Sequence, residues 1–189
     1  PGSELLADEF VMTVAVNTML AAVAGGLFCT ITIWMVAGKP DVAMIGNGVP
    51  KLVERGFNAV GIRPDAAQLD HLVEMFKREY ATCATDNTRP YPGIVEVLRE
   101  ILGMNIPMGV CTNKPEAFTR QILEGLGLAG FFGSVVGGDT TAARKPDPEP
   151  VLACLRGLVA EPASSLMIGD SVHDVHAAHA AGMPIGVVP

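Results

Sequence analysis

Pro107-Met108-Gly109-Val110-Cys111-Thr112-Asn113-Lys114-Pro115 is the stretch that decides the fold. Residues 107–111 are uncharged and read as a short buried strand. The chain then turns polar, and an amphipathic helix over 116–126 comes next, stopped by Gly127. A buried strand feeding a polar turn and a helix is half of a βαβ unit.

The same rhythm continues downstream. The pattern predicts strands over 134–137, 165–168 and 184–188, with helices over 94–102, 148–158 and 172–181. Strands alternating with helices of about ten residues imply right-handed crossovers and a parallel sheet, hence an α/β core. Upstream the chain is mainly helical. Residues 49–58 read as a helix after the Gly46-Asn47-Gly48 turn, and 65–81 as another, with Leu69, Leu72, Val73, Phe76 and Tyr80 at helical spacing.

The run 10–38 holds 29 residues without a charge or a histidine, long enough to span a bilayer as one helix. Gly25-Gly26 splits it, and Thr13, Asn17 and Thr18 put polar groups in its first half. The favoured reading is therefore a helix over 7–24 and a β-branched strand over 28–36, with a membrane anchor as the rival. Pro1-Gly2-Ser3 has the look of a remnant left by tag cleavage, so fold reasoning starts at Glu4.

Composition bounds the function. With 189 residues, 49% hydrophobic, the chain fits one core plus a small lobe. A formal charge of −7 leaves no excess of lysine and arginine to neutralise a nucleic-acid backbone. Cys29, Cys83, Cys111 and Cys154 form no C-x-x-C pair and read as reduced thiols of a cytoplasmic protein. His173, His176 and His179 fall three apart on a predicted helix and read as a solvated face. The four methionines between residues 12 and 44 read as packing residues.

In an open parallel sheet, ligands bind beyond the carboxyl ends of the strands. There the sequence places Thr112-Asn113-Lys114-Pro115, with a hydroxyl and several amides expected to be free at a helix start, a ready anion site. It also places Gly169-Asp170-Ser171 there, with Asp174 four residues after Asp170, and between the two Arg144-Lys145-Pro146-Asp147-Pro148. Singly, each motif is explained by turns and caps. Their order is more specific. Strand-Thr-Asn, then Lys-Pro, then strand-Gly-Asp-Ser-x-x-x-Asp resembles the second, third and fourth motifs of the haloacid dehalogenase superfamily. Arg89-Pro90-Tyr91-Pro92-Gly93, Asn17-Thr18-Met19-Leu20, the stretch 46–55 and Ala181-Gly182-Met183-Pro184 are similar to segments of its phosphoglycolate phosphatase-like members.

The resemblance implies a Rossmannoid parallel-sheet core over 89–189 and a helical cap, over 4–88, inserted near the N-terminus. It implies a phosphatase that hydrolyses a small phosphorylated metabolite such as 2-phosphoglycolate through an aspartyl-phosphate, with Mg²⁺. Thr112 would donate its hydroxyl to the phosphoryl group and Asn113 hold the phosphate by its backbone amide. Lys145 would offset the charge of phosphate and nucleophile. Asp170 would bind Mg²⁺, and Asp174 would orient the metal shell or Lys145. The need is physical: a phosphate dianion repels a carboxylate nucleophile, so cations must hold the two in line.

The family's first motif, Asp-x-Asp-Gly-Thr, has no counterpart, since no Asp-x-Asp occurs in the 189 residues. Ser3-Glu4-Leu5 resembles the residues immediately after that motif in the family. The expectation is therefore a chain truncated at both ends and impaired in turnover. A non-catalytic phosphate-binding protein is the second reading, and residues 28–36 are the candidate for the vacated central strand.

Overall fold

A computed structural model describes residues 47–59, 61–86 and 88–188. The described residues divide between Thr88 and Arg89 into two compact units. The expected helix over 7–24, the strand over 28–36 and the uncharged run 10–38 lie outside the described residues. Among the described residues no helix is long and apolar enough to cross a membrane.

The first unit contains α1 (Val49–Ala59) and α2 (Ala66–Cys83), packed on each other. A reciprocal cap starts α2: Gln68 N–H donates to Asp65 Oδ1 at 2.9 Å, and Asp65 N–H donates to Gln68 Oε1 at 3.0 Å. Two of the four amides that a helix start leaves unpaired are answered this way. Val73, Phe76 and Tyr80 recur at intervals of three and four and are the residues α2 buries. The Phe76 and Tyr80 rings stack with centroids 5.8 Å apart. In α1 the buried residues are Val49, Val53 and Gly56.

The second unit runs α3 (Ile94–Gly103), β1 (Gly109–Cys111), α4 (Glu116–Gly125), β2 (Ser134–Val136), α5 (Glu149–Leu158), β3 (Met167–Gly169), α6 (Val172–Ala180) and β4 (Ile185–Val187). β1 pairs with β2 in parallel, Val110 opposite Val135. β3 pairs with β4 in parallel, Ile168 opposite Gly186. Strand and helix alternate throughout, as the sequence predicts.

Strand side chains alternate between faces, and here each face meets its own core. Val110 and Val135 join Ile94, Leu98, Met108, Leu123 and Leu128 on one side. Cys111 and Val136 join Val151, Cys154, Leu155, Met167, Ala177, Ala178 and Met183 on the other. Strands covered on both faces read as unbroken apolar runs, which is why 107–111 carries no charge. The second cluster takes residues from β1, β2 and β3, so the two ladders share a core.

Strand boundaries differ from expectation by one or two residues, β1 starting at Gly109 instead of 107 and β3 shifting as a whole. The run 165–168 is predicted as strand, yet the strand is Met167–Gly169. Ser165 is tied into the turn before it, its hydroxyl on Glu161 O at 2.8 Å and its N–H on Pro162 O at 3.2 Å, which takes its polar groups away from a ladder.

Candidate functional site

The polar turns after β1, β2 and β3 converge. Thr112 extends the first ladder, its N–H donating to Val136 O at 2.9 Å, and is 2% exposed. Its hydroxyl oxygen accepts the Lys114 N–H at 3.2 Å. A hydroxyl that accepts through its oxygen keeps its own hydrogen to donate. The Glu116 N–H, first in α4, donates to Asp139 Oδ1 at 2.7 Å. Two of the amides expected to be free at this helix start are thus taken: the Lys114 N–H by Thr112 Oγ1 and the Glu116 N–H by Asp139.

Lys145 comes from the loop after β2 and is 7% exposed. Its Nζ donates to Asp174 Oδ1 at 2.5 Å and to Cys111 O at 2.7 Å. The ammonium therefore joins the carboxyl end of β1 to the first turn of α6. Asn113 holds the backbone of the same lysine from both sides, its Nδ2 donating to Lys145 O at 2.9 Å and its Oδ1 accepting the Lys145 N–H at 3.1 Å.

Asp174 serves two partners. One oxygen takes Lys145, and the other accepts the Ser171 hydroxyl at 2.6 Å and the Ser171 N–H at 3.1 Å. The Asp174 N–H donates in turn to Ser171 Oγ at 3.2 Å, closing a capping box on α6. Burial alone would raise its carboxyl, but the Lys145 charge and hydrogen bond, with those from Ser171, outweigh burial and hold it below the usual carboxylate range. Gly169 makes this approach feasible: a Cβ there would lie 2.5 Å from Asp174 Cβ.

The loop carrying Lys145 is fixed at its root as well. Gly138 N–H donates to Lys114 O at 2.8 Å, and Arg144 Nε donates to Gly138 O at 2.6 Å. A Cβ at Gly138 would run into Asn113 O, and one at Gly137 into the backbone of Glu116. Only glycine lets the loop lie this close to the turn after β1. Thr140 adds a bond from its hydroxyl to Glu116 Oε2 at 2.5 Å. With Arg120 on its other oxygen, Glu116 is held below the ordinary carboxylate value. Burial pulls the Lys114 ammonium down to about 7 and pushes the Cys111 thiol up to about 12.

Thr112, Asn113, Lys145 and Asp174 are thus gathered on one set of turns, and all four are buried. Asp170 stands at the carboxyl end of β3 and is half-buried. Sequence reasoning missed the Cys111 carbonyl and Ser171 as partners, and it missed the bridge made by the Asn113 side chain. Ser171 was findable, since a serine three residues before an aspartate at a helix start is a cap signal. The Cys111 carbonyl leaves no trace in residue identity.

The family implied by the motifs uses Mg²⁺, a cation that takes one or two carboxylates and otherwise water and phosphate oxygens. Asp170 fits such a ligand by position and chemistry. Asp174 fits less well, because both its oxygens already serve Lys145 and Ser171. Among the described residues no three His, Cys, Asp or Glu side chains gather around a common point.

Known proteins resemble this chain in sequence and fold. The family model described as haloacid dehalogenase-like hydrolase matches residues 53–188. A phosphoglycolate phosphatase of Rhodospirillum rubrum is 44% identical over 149 residues, covering 77% of this chain and 62% of that protein. One of Thiobacillus denitrificans is 39% identical over 146 residues, covering 77% and 64%. The chain thus spans about three-fifths of the length of these curated relatives. Among solved structures, a protein of Bacteroides fragilis described as a haloacid dehalogenase-like hydrolase superposes with a TM-score of 0.68 at 27% identity, covering 87% of this chain and 79% of that one. A protein of Haemophilus somnus, predicted to be a phosphoglycolate phosphatase, superposes at 0.75 with 22% identity, covering 90% and 78%, and shares the fold. By the family match over most of its length, the chain belongs to the haloacid dehalogenase-like hydrolases.

Proposed function

We propose that the turns after β1, β2 and β3 form the phosphate site of a Mg²⁺-dependent phosphomonoester hydrolase acting on a small phosphorylated metabolite, with 2-phosphoglycolate as the leading substrate. The observation that carries this is the Lys145 ammonium, fixed between Cys111 O and Asp174 at the carboxyl ends of parallel strands. A cation held this way is organised before substrate arrives, so no reorganisation is spent when negative charge comes near. The phosphoglycolate phosphatases at 39–44% identity favour the substrate. The buried free thiols Cys111 and Cys154 suit a reducing cytoplasm.

In this reading the Thr112 hydroxyl donates to a phosphoryl oxygen while its own oxygen is held by Lys114 N–H. Lys145 balances phosphate charge. Asp174 positions Lys145 and spends no oxygen on substrate. Asp170 would hold Mg²⁺, which when bound neutralises phosphate charge and polarises the P–O bonds. Residues 4–88 would act as the cap that selects the substrate and excludes water.

The same held cation also fits a second reading, in which the site binds phosphate without turnover. One pair of measurements separates the two: calorimetric binding of 2-phosphoglycolate with Mg²⁺, and release of inorganic phosphate. Binding without release supports the second reading, and release abolished by Asp170→Ala supports the first. Absence of binding at millimolar ligand overturns both.

A further inference from the structure

Lys145 reaches its partners from a loop, and a lysine side chain has four rotatable bonds before its nitrogen. Its aim therefore depends on where its own Cα is held. Two attachments fix that loop. At the root, Gly138 N–H bonds to Lys114 O and Arg144 bonds back to Gly138 O. At the lysine itself, the two hydrogen bonds come from the Asn113 carboxamide, one to the N–H and one to the C=O, at 3.1 and 2.9 Å. Asn113 sits 32 positions away in sequence and is 9% exposed.

A carboxamide is the one short side chain that presents a donor and an acceptor side by side, matching the two polar groups of a peptide backbone. Aspartate would offer two acceptors and repel the Lys145 carbonyl. Serine and threonine are too short to span both groups. The chemistry therefore singles out asparagine.

We propose that Asn113 is a positioning residue, whose side chain clamps the backbone of Lys145 and thereby aims the ammonium at the phosphate site. This deepens the phosphate-site reading and rests on it for the identity of the anion, while the clamp itself stands on the hydrogen bonds alone. It also divides the work of two adjacent residues: Thr112 faces the ligand, and Asn113 reaches it through Lys145.

Two readouts test the proposal on the full chain. The first needs no ligand: ¹³C-lysine labelling reports the Lys145 Cε–Hε shift, assigned through Lys145→Met. Asn113→Ala and the near-isosteric Asn113→Asp are expected to move that shift toward those of the exposed Lys51 and Lys77, whose own shifts stay fixed. An unchanged Lys145 shift overturns the clamp. Loss of the folded state in both variants also overturns it, because the bonds would then be holding the core and not aiming one side chain.

The second readout is a double-mutant cycle on inorganic phosphate affinity. Asn113→Ala is expected to weaken phosphate roughly five- to tenfold with Lys145 present and less than about twofold in the Lys145→Met background, as coupled neighbours behave. Equal losses in both backgrounds overturn the proposal, because Asn113 would then act on the anion directly. If no chain binds phosphate while the Lys145 shift still moves, the clamp stands and the phosphate-site reading falls.

Discussion

Lys145 Nζ and Asp174 Oδ1 stand 2.5 Å apart with their side chains only 7% and 5% exposed, an ion pair closed off from water. Such pairs are asymmetric in their energetics. Both charges together offset their lost hydration, whereas one left alone does not. Asp174→Ala should therefore cost about 3–5 kcal/mol in urea unfolding, and the paired change Lys145→Met with Asp174→Leu markedly less. A loss below about 1 kcal/mol from Asp174→Ala would show that water reaches the ammonium, as at exposed pairs.

The pH dependence of stability should carry two signatures of opposite origin. Despite burial, the Asp174 carboxyl is held below its ordinary 3.8 by Lys145 and Ser171. Its contribution is therefore complete above 3.8 and lost as pH falls through the lower folded value. At Lys114 the charged form is the one disfavoured: burial pulls it to about 7 from 10.5, so between those values the unfolded chain binds the extra proton. Stability should rise with pH across that interval. Lys114→Met should flatten the rise while leaving the acid limb in place. Denaturation midpoints from pH 3 to 10 in both chains check this.

Gly109 faces α5 so closely that a Cβ would lie 2.6 Å from Cys154 Sγ and 3.1 Å from Leu158 Cδ1. Gly109→Ala should cost about 1–3 kcal/mol by overpacking. Adding Cys154→Ala should recover part of that loss, because Leu158 still crowds the position. If the two changes simply add, the helix yields as a body and the sulfur is not the obstacle.

Cys111 and Cys154 are buried, and burial raises both thiols, that of Cys111 to about 12. At pH 8 neither should react with iodoacetamide in the folded protein, since the thiolate is the nucleophile. Peptide mapping after a timed pulse should find both unmodified, and both labelled when the pulse is given in denaturant. Prompt labelling of Cys111 in the folded chain would mean that the face of β1 opens to solvent.

Much of the second unit is legible in the sequence because βαβ rhythm is a local pattern. All four strands and all four helices from residue 94 onward lie within about two residues of where apolar runs, glycines and prolines put them. The departure at Ser165 is of a different kind, since serine competes for its own backbone through turn bonds that hydropathy does not record. In the site, the order of motifs identifies which turns converge. It does not identify which atoms meet. The Asn113 to Lys145 bridge and the Cys111 carbonyl depend on how a loop lies across a strand end, and no periodicity encodes that.

The capping box on α6 has a consequence for how the site can be watched. Asp174 gives one oxygen to Lys145 and the other to Ser171, so fraying of the first helical turn loosens one of the two anchors of the ammonium, the Cys111 carbonyl being the other. Amide exchange at Ser171 and Asp174 then works as a built-in clock for that anchor: the rate at which those protons are lost to solvent counts how often the carboxylate beside the lysine is set loose.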